Sequence, residues 1–263
     1  MSTLLTAGGI SKRFGGVLAL SGISFSIQRG EIYGLIGPNG AGKTTLFNVL
    51  TSVYAHDAGS FEFDDAPLKG LKPHEVAERG IARTFQNIRL FGNLSALDNV
   101  MIGRHVRTRA GVFGAIARNR ATRAEEAAIL ARAMELLRYV GLAPRANDVA
   151  RHLPYGEQRR LEVARALATD PKLLALDEPA AGMNGKETGE LRALIERIRA
   201  DGTTVLLIEH DMKLVMGLSD RVLVLDYGRA IAEGAPAEVR RDPAVIEAYL
   251  GAGATSATRA HHA

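Results

Sequence analysis

The chain contains no cysteine. That excludes a disulfide framework and a thiolate zinc site, and it is compatible with a reducing cytosol. No run approaches the roughly 20 apolar residues that a membrane span needs. Met1 to Phe14 has no long apolar core before Lys12-Arg13, so a signal peptide is not expected. Membrane association is therefore expected only through partners or surface charge. The formal net charge of +4 is modest and is no nucleic-acid signature by itself. It is uneven, however. Arg104, Arg107, Arg109, Arg118, Arg120 and Arg123 fall in a stretch with no acid between Asp98 and Glu125. Two readings stand: a solvated basic face, or a surface facing anionic lipid head groups at about 1 kcal/mol per basic residue.

What is present is a core and a loop. A 263-residue chain with 46% hydrophobic residues is expected to form one α/β domain with a smaller appended lobe. Gly37-Pro38-Asn39-Gly40-Ala41-Gly42-Lys43-Thr44, followed by Thr45, fits the P-loop pattern G-x-x-x-x-G-K-[ST]. Backbone N–H groups of such a loop point inward and cradle phosphate oxygens. Its glycines leave room for the turn and for the phosphate. Lys43 can bridge the outer phosphates, and the Thr44 hydroxyl can ligate Mg²⁺. The helix starting near Gly42 adds its N-terminal dipole. A buried strand, Glu31 to Ile36, runs into the loop, and Leu46, Phe47, Val49 and Leu50 leave it at helical spacing. The ligand expected is a nucleoside triphosphate with Mg²⁺.

Ile23 to Ile27 alternates with period two, Phe61-Glu62-Phe63 does so briefly, and Leu4-Leu5 suggests a third strand. Together these predict an antiparallel β lobe. Pro73 and Gly80 bound a short helix, and Ser95 with Asp98 resembles a capping box. Thr122 with Glu125 predicts the start of an amphipathic helix reaching Gly141. Its stripe of Ile129, Leu130, Met134, Leu137 and Val140 reads as core packing. Leu173 to Asp177, Val205 to Ile208 and Val222 to Leu225 read as buried parallel strands. Asn184 with Glu187 caps a helix ending near Gly202. Gly251 to Ala263 reads as a frayed tail in which His261 and His262 are solvated.

Asp177-Glu178 closes the Leu173 strand. An acid there can hold the Mg²⁺ shell, and Glu178 can orient and polarise an attacking water. The segment Leu153-Pro154-Tyr155-Gly156-Glu157-Gln158-Arg159-Arg160 precedes a helix expected over Leu161 to Thr169. The order of P-loop, Gln86, Leu153 segment, Asp177-Glu178-Pro179 and His210 resembles the ATP-binding subunit of an ABC transporter, over nearly the whole chain. The fold this implies is α/β: a P-loop NTPase core with a mostly parallel sheet, an antiparallel β lobe and an inserted helical subdomain. In one cassette domain, residues 1–87 and 166–235 would form the core and β lobe, 88–165 the helical subdomain, and 236–263 C-terminal helices and the tail.

The resemblance also implies roles. Phe14 would stack on adenine, worth roughly 1–3 kcal/mol, although taken alone it reads as core. Gln86 would contact Mg²⁺ and water, and His210 would reach the γ-phosphate, although a lone histidine at a strand end is usually structural. Ala181 to Asn184 matches the loop through which two subunits communicate, with Asn184 where the family more often has Asp. Leu153 to Gln158 is the signature motif, normally Leu-Ser-Gly-Gly-Gln, which serves the nucleotide of the opposite subunit. Here Pro154 replaces Ser and Tyr155 replaces the first Gly, while Gly156 remains, followed by Glu157-Gln158. The serine hydroxyl is missing and proline has no N–H to offer, which puts this motif's contribution to a partner's site in doubt.

Narrower phrases resemble the larger-type ATPase of branched-chain amino acid importers. They are Ser11 to Gly16, Arg83 to Phe91, Tyr155-Gly156 with Arg159 to Glu162, and Glu178 to Asn184. The resemblance implies ATP and Mg²⁺ as cofactors. It implies as partners a second, different ATPase subunit, two transmembrane permeases and, indirectly, a periplasmic solute-binding protein. It implies a peripheral position on the cytoplasmic face of a bacterial inner membrane. In isolation the chain could pair with itself. Urea or amide uptake and lipopolysaccharide export remain as alternatives within the family. A P-loop phosphotransferase would not need the Leu153 segment or His210. A nucleic-acid ATPase of this family would be expected to carry a coiled coil or a second cassette.

Overall fold

The computed structural model describes residues 2–107 and 120–250. The expectations for Arg109, Arg118, His261 and His262 lie outside the described residues, as does the side chain of Arg120. The chain opens with two long strands, β1 (Thr3–Phe14) and β2 (Val17–Gln28), followed by β3 (Ile32–Ile36) and helix α1 (Lys43–Leu50). Next come β4 (Ala58–Phe63), β5 (Ala66–Pro67), α2 (Pro73–Arg79) and β6 (Ile81–Arg83). Helices α3 (Ala96–Arg104), α4 (Arg120–Tyr139) and α5 (Tyr155–Leu167) form a helical stretch. Then β7 (Leu173–Asp177), α6 (Gly185–Ala200), β8 (Thr204–Ile208), α7 (Met212–Leu218) and β9 (Arg221–Asp226) alternate. Strand β10 (Arg229–Gly234) and helices α8 (Pro236–Val239) and α9 (Pro243–Leu250) end the described chain.

Six strands form one sheet in the order β10-β9-β3-β8-β7-β6. All but β10 run parallel. A parallel sheet needs cover on both faces, so its strands are apolar throughout. Alternate residues divide between two cores. Ile32, Ile36, Leu174, Leu176, Val205, Leu207, Val222 and Val224 meet α3 to α7 on one face. Tyr33, Leu35, Leu173, Ala175, Leu206, Ile208, Leu223 and Leu225 face the other way. There they meet α1 and the second sheet, antiparallel in the order β2-β1-β4-β5. Helix α1 is thus sandwiched between sheets by Leu46, Phe47, Val49 and Leu50, which fixes the end that carries the loop. Tyr33 stacks on Phe25 at 5.7 Å and spends its hydroxyl on Glu233 Oε1 at 2.8 Å.

Several local expectations differ from what is found. Strands β1 and β2 extend well beyond Leu4-Leu5 and Ile23 to Ile27, because they pair along their whole length. Helix α4 is already running at Arg120, so Thr122 lies inside it rather than at a cap. Helix α5 starts at Tyr155 and not at Leu161, with Pro154 as its N-cap. No described helix is long and apolar enough to cross a membrane.

Candidate functional site

Strand β3 delivers the chain into the loop from Gly37 to Gly42, and α1 receives it at Lys43. Gly37 has φ 152°, and a Cβ there would stand 2.1 Å from the Leu225 carbonyl oxygen. Only glycine lets the loop press onto β9 in this way. Gly42 is the N-cap of α1 at φ 102°. The Lys43 ammonium folds back onto the loop, donating to the carbonyls of Gly37 at 2.6 Å and Pro38 at 3.0 Å. Burial pushes its pKa down, opposed by the nearby carboxylates of Glu178 and Asp177. Thr44 is exposed and Thr45 half-buried.

A cleft of about 440 Å³ opens on loop residues 39–45. Its other walls are Val17 to Ala19 of β2, Gln86, Glu178 and the Tyr227-Gly228 turn. The loop, Gln86 and Glu178 therefore share one cavity. Val17 to Ala19 and Tyr227 are lining residues that the sequence reading missed. Tyr227 is 86% exposed at φ 43°, and its turn is tied to the loop by a bond from Gly228 N to the Ala41 carbonyl at 3.0 Å. The one signal for it was a bare Tyr-Gly pair between two strands. Phe14 ends β1 half-exposed, its ring edge-on to Tyr54 at 5.3 Å, and is not among the residues lining the cleft.

Two acids follow one another where β7 ends. Asp177 is 2% exposed, and its pKa is pushed up to about 6. Burial is the main cause; Arg83 opposes it, and the charges of Glu178 and Glu209 add to it. Glu178 adopts φ 45°, a left-handed conformation rare for a residue with a β-carbon. Such a conformation costs about 1–3 kcal/mol and persists only where surrounding contacts enforce it. Here the Glu178 N–H bonds the Ile208 carbonyl at 2.8 Å. Buried Glu209 accepts from the N–H groups of Ala180 at 2.8 Å and His210 at 3.2 Å, which braces the turn on both sides. Glu178 Oε2 accepts from Gln86 Nε2 at 2.9 Å, and His210 Nδ1 lies 3.8 Å from the same oxygen. Gln86, Glu178 and His210, 124 positions apart at the extremes, thus converge on one carboxylate.

No group of three or more His, Asp or Glu suited to a metal occurs among the described residues. A cation here would use one carboxylate with neutral oxygens, water and phosphate, which is the habit of Mg²⁺. The local chemistry suits it: burial, with the neighbouring charges of Glu178 and Glu209, raises the Asp177 pKa, and a cation alongside would offset that cost. Of the residues expected at a metal, Thr44 and Gln86 line the cleft, whereas Asp177 is buried beside Glu178 and does not.

The signature segment lies on the helical side. Leu153 is buried, and its carbonyl accepts from Gln158 Nε2 at 2.8 Å. Pro154 caps α5 without any side-chain bond. Tyr155 is 44% exposed, Gly156 is buried, and Glu157 lies 3.7 Å from Arg145. These residues do not meet the loop residues of their own chain: none lines the cleft. Two side chains of the basic stretch also make contacts within the chain, Arg107 while staying exposed. Arg104 pairs with Asp170 and donates to the Ala168 carbonyl at 3.3 Å. Arg107 donates to the carbonyls of Thr169 at 2.7 Å and Glu78 at 3.0 Å. Both are occupied by the end of α5, where unsatisfied carbonyls attract cations.

The family model described as ABC transporter matches residues 20–181, and the one described as branched-chain amino acid ATP-binding cassette transporter matches 231–255. The high-affinity branched-chain amino acid transport ATP-binding protein LivG of Salmonella typhimurium is 47% identical over 94% of this chain and 98% of its own. Among solved structures, the ADP conformation of MJ1267, an ATP-binding cassette of an ABC transporter, superposes with a TM-score of 0.83 at 31% identity. That match covers 95% of this chain and all of the other. The dimeric bacterial ABC transporter cassette MJ0796 matches with a TM-score of 0.76 at 26% identity, over 89% of this chain and 99% of its own. A P-loop cleft floored by a strained glutamate, in a chain with these likenesses along nearly its whole length, has one reading: the chain belongs to the ABC transporter family and is one of its nucleotide-binding ATPase subunits.

Proposed function

We propose that this chain is the motor subunit of an importer for branched-chain or related amino acids. ATP sits on residues 37–45, with Phe14 against the base and Lys43 on the outer phosphates. Thr44, Asp177 and Gln86 would hold Mg²⁺, directly or through water, and the ion would offset phosphate charge. Glu178 polarises the attacking water, and His210 reaches the γ-phosphate. The observation that carries this reading is Glu178, held in a strained turn inside the phosphate cleft and touching both Gln86 and the neighbourhood of His210.

A second ATPase closes head to tail over the cleft with its own signature motif. Residues 153–158 of this chain serve the partner's site in return. Pro154 offers neither hydroxyl nor N–H there, so in a pair with a different ATPase the two sites are unequal and this chain's own is the more active. Residues 88–165 act as a helical lobe that moves on closure. An apolar groove of about 420 Å³, with Phe85, Phe91, Ile102 and Val106 in its walls, lies beside Gln86 and suits a permease segment at the cytoplasmic face of the membrane. The C-terminal family match and the likeness to LivG favour amino-acid uptake over lipopolysaccharide export.

The test is purification from native membranes through a tag on this chain. A second ATPase, two membrane proteins and ATP turnover stimulated by leucine, isoleucine or valine with a binding protein are expected. Turnover stimulated by urea or an amide, or co-purification with lipopolysaccharide, would overturn the substrate assignment.

A further inference from the structure

Helix α5 carries a buried ion pair to which the roles above give no part. Arg159 and Glu162 are 2% and 1% exposed, with Nη1 and Oε2 3.2 Å apart. Buried pairs are poor sources of stability, because desolvation offsets their attraction. Arg159 Nε even lacks a hydrogen-bond acceptor. What the pair holds is more telling. Arg159 Nη1 donates to the Phe85 carbonyl at 2.6 Å, and Nη2 donates to the Gln86 carbonyl. Glu162 Oε1 accepts from the N–H groups of Phe85 and Arg89, each at 3.3 Å. Four backbone groups around Gln86 are therefore bonded to two side chains of a different element.

The same guanidinium reaches outward. Arg159 Nη2 also donates to the Tyr155 hydroxyl at 3.1 Å. The Tyr155 ring in turn lies against the loop after Glu178, since a Cβ on Gly182 would stand 3.3 Å from its Cε1. A planar fork of fixed donors cannot follow two partners that move apart, as a flexible ammonium could. Gln86 touches the water-polarising Glu178 of its own site, whereas Tyr155 is an exposed side chain of the segment offered to the partner's site.

We propose that Arg159 and Glu162 are positioning residues that couple the Gln86–Glu178 contact of this chain's own site to Tyr155 at its partner-facing site. The inference rests on the head-to-tail reading above for its Tyr155 end; its Gln86 end is internal to the chain. Both sites then respond together because one buried guanidinium spans them.

The experiment compares Arg159→Lys and Tyr155→Phe with wild type and with Arg160→Lys, in the complex purified through this chain. Arg160 is the next residue and pairs instead with Glu190 at 2.6 Å, so it controls for charge and position. Melting temperature, ATP affinity of the full chain, kcat and cooperativity in ATP are measured. Arg159→Lys should keep its melting temperature and ATP affinity but lose kcat by roughly tenfold or more, since misplacing a reacting group by about 1 Å can cost on the order of 10²-fold. Tyr155→Phe, which removes the hydroxyl that accepts from Arg159, should lose cooperativity, and Arg160→Lys should match wild type. Wild-type kcat in Arg159→Lys, or wild-type cooperativity in Tyr155→Phe, would overturn the proposal. So would a joint loss of melting temperature and ATP affinity in Arg159→Lys, which would make the pair a scaffold. Failure of the site reading would be separate and visible, as a wild-type chain that binds no ATP.

Discussion

Glu178 pays in backbone strain for its place in the cleft, and its neighbour Asp177 does so in charge. The Asp177 pKa of about 6 lies above the ordinary 3.8. Its contribution to folding is therefore fully present below the lower value and lost as pH rises through the upper one. At neutral pH the buried carboxylate costs about 3 kcal/mol, taking 1.36 kcal/mol per pKa unit. Asp177→Asn should accordingly melt higher than wild type at neutral pH in EDTA, and the difference should vanish toward about pH 4. Calorimetry across that range checks it; a lower melting temperature at neutral pH would contradict it. Lys43 is the cation nearest the loop carbonyls, with two bonds to them. Charge-assisted bonds are worth about 1.5–3 kcal/mol, so Lys43→Ala should weaken ATP binding roughly 10–100-fold without unfolding the chain. Titration calorimetry with ATP reads that directly.

Helices α3 and α5 cross so closely that a Cβ on Gly103 would stand 2.3 Å from the Arg165 carbonyl oxygen. Gly103→Ala should separate them and destabilise the chain by about 1–3 kcal/mol, the usual range for overpacking. Denaturant titration measures the loss, and an unchanged midpoint would mean that the crossing can relax. Elements with local signals were legible from the residues. Ser95 with Asp98, Asn184 with Glu187, and Pro73 with Gly80 each bound a helix where expected, because cap bonds join neighbours in sequence. Apolar runs such as Leu173 to Asp177 announced buried strands. The start of α5 was not legible: Pro154 gives no side-chain cap, and Tyr155-Gly156 does not look like a first helical turn. Thr122 and Glu125 have capping spacing by composition alone, inside a helix already running at Arg120. The Arg159–Glu162 clamp was beyond reach, since Arg159 meets Phe85 across 74 positions. Likewise the fate of Arg104 and Arg107 depends on where α5 ends, which no charge count reveals.

At the scale of the molecule, the proposed head-to-tail pairing would make the loop from Gly37 to Thr45 half of a site. It supplies the cradle, Glu178 stands over it, and the signature residues of the same chain face elsewhere. Two features make that division physical. The six-stranded sheet buries both faces and brings the ends of β3, β7 and β8 to one edge, where loop, acids and His210 gather. Helix α5 meets that edge through the segment around Gln86 and through Tyr155 beside Gly182. In the proposed function, chemistry at Glu178 drives transport. The direct measurement compares wild type with Glu178→Gln in the reconstituted complex, following ATP binding, phosphate release and leucine uptake together. Glu178→Gln should retain binding, lower hydrolysis about 10²–10⁴-fold and lose uptake in parallel. Unchanged hydrolysis and uptake in the variant would contradict it.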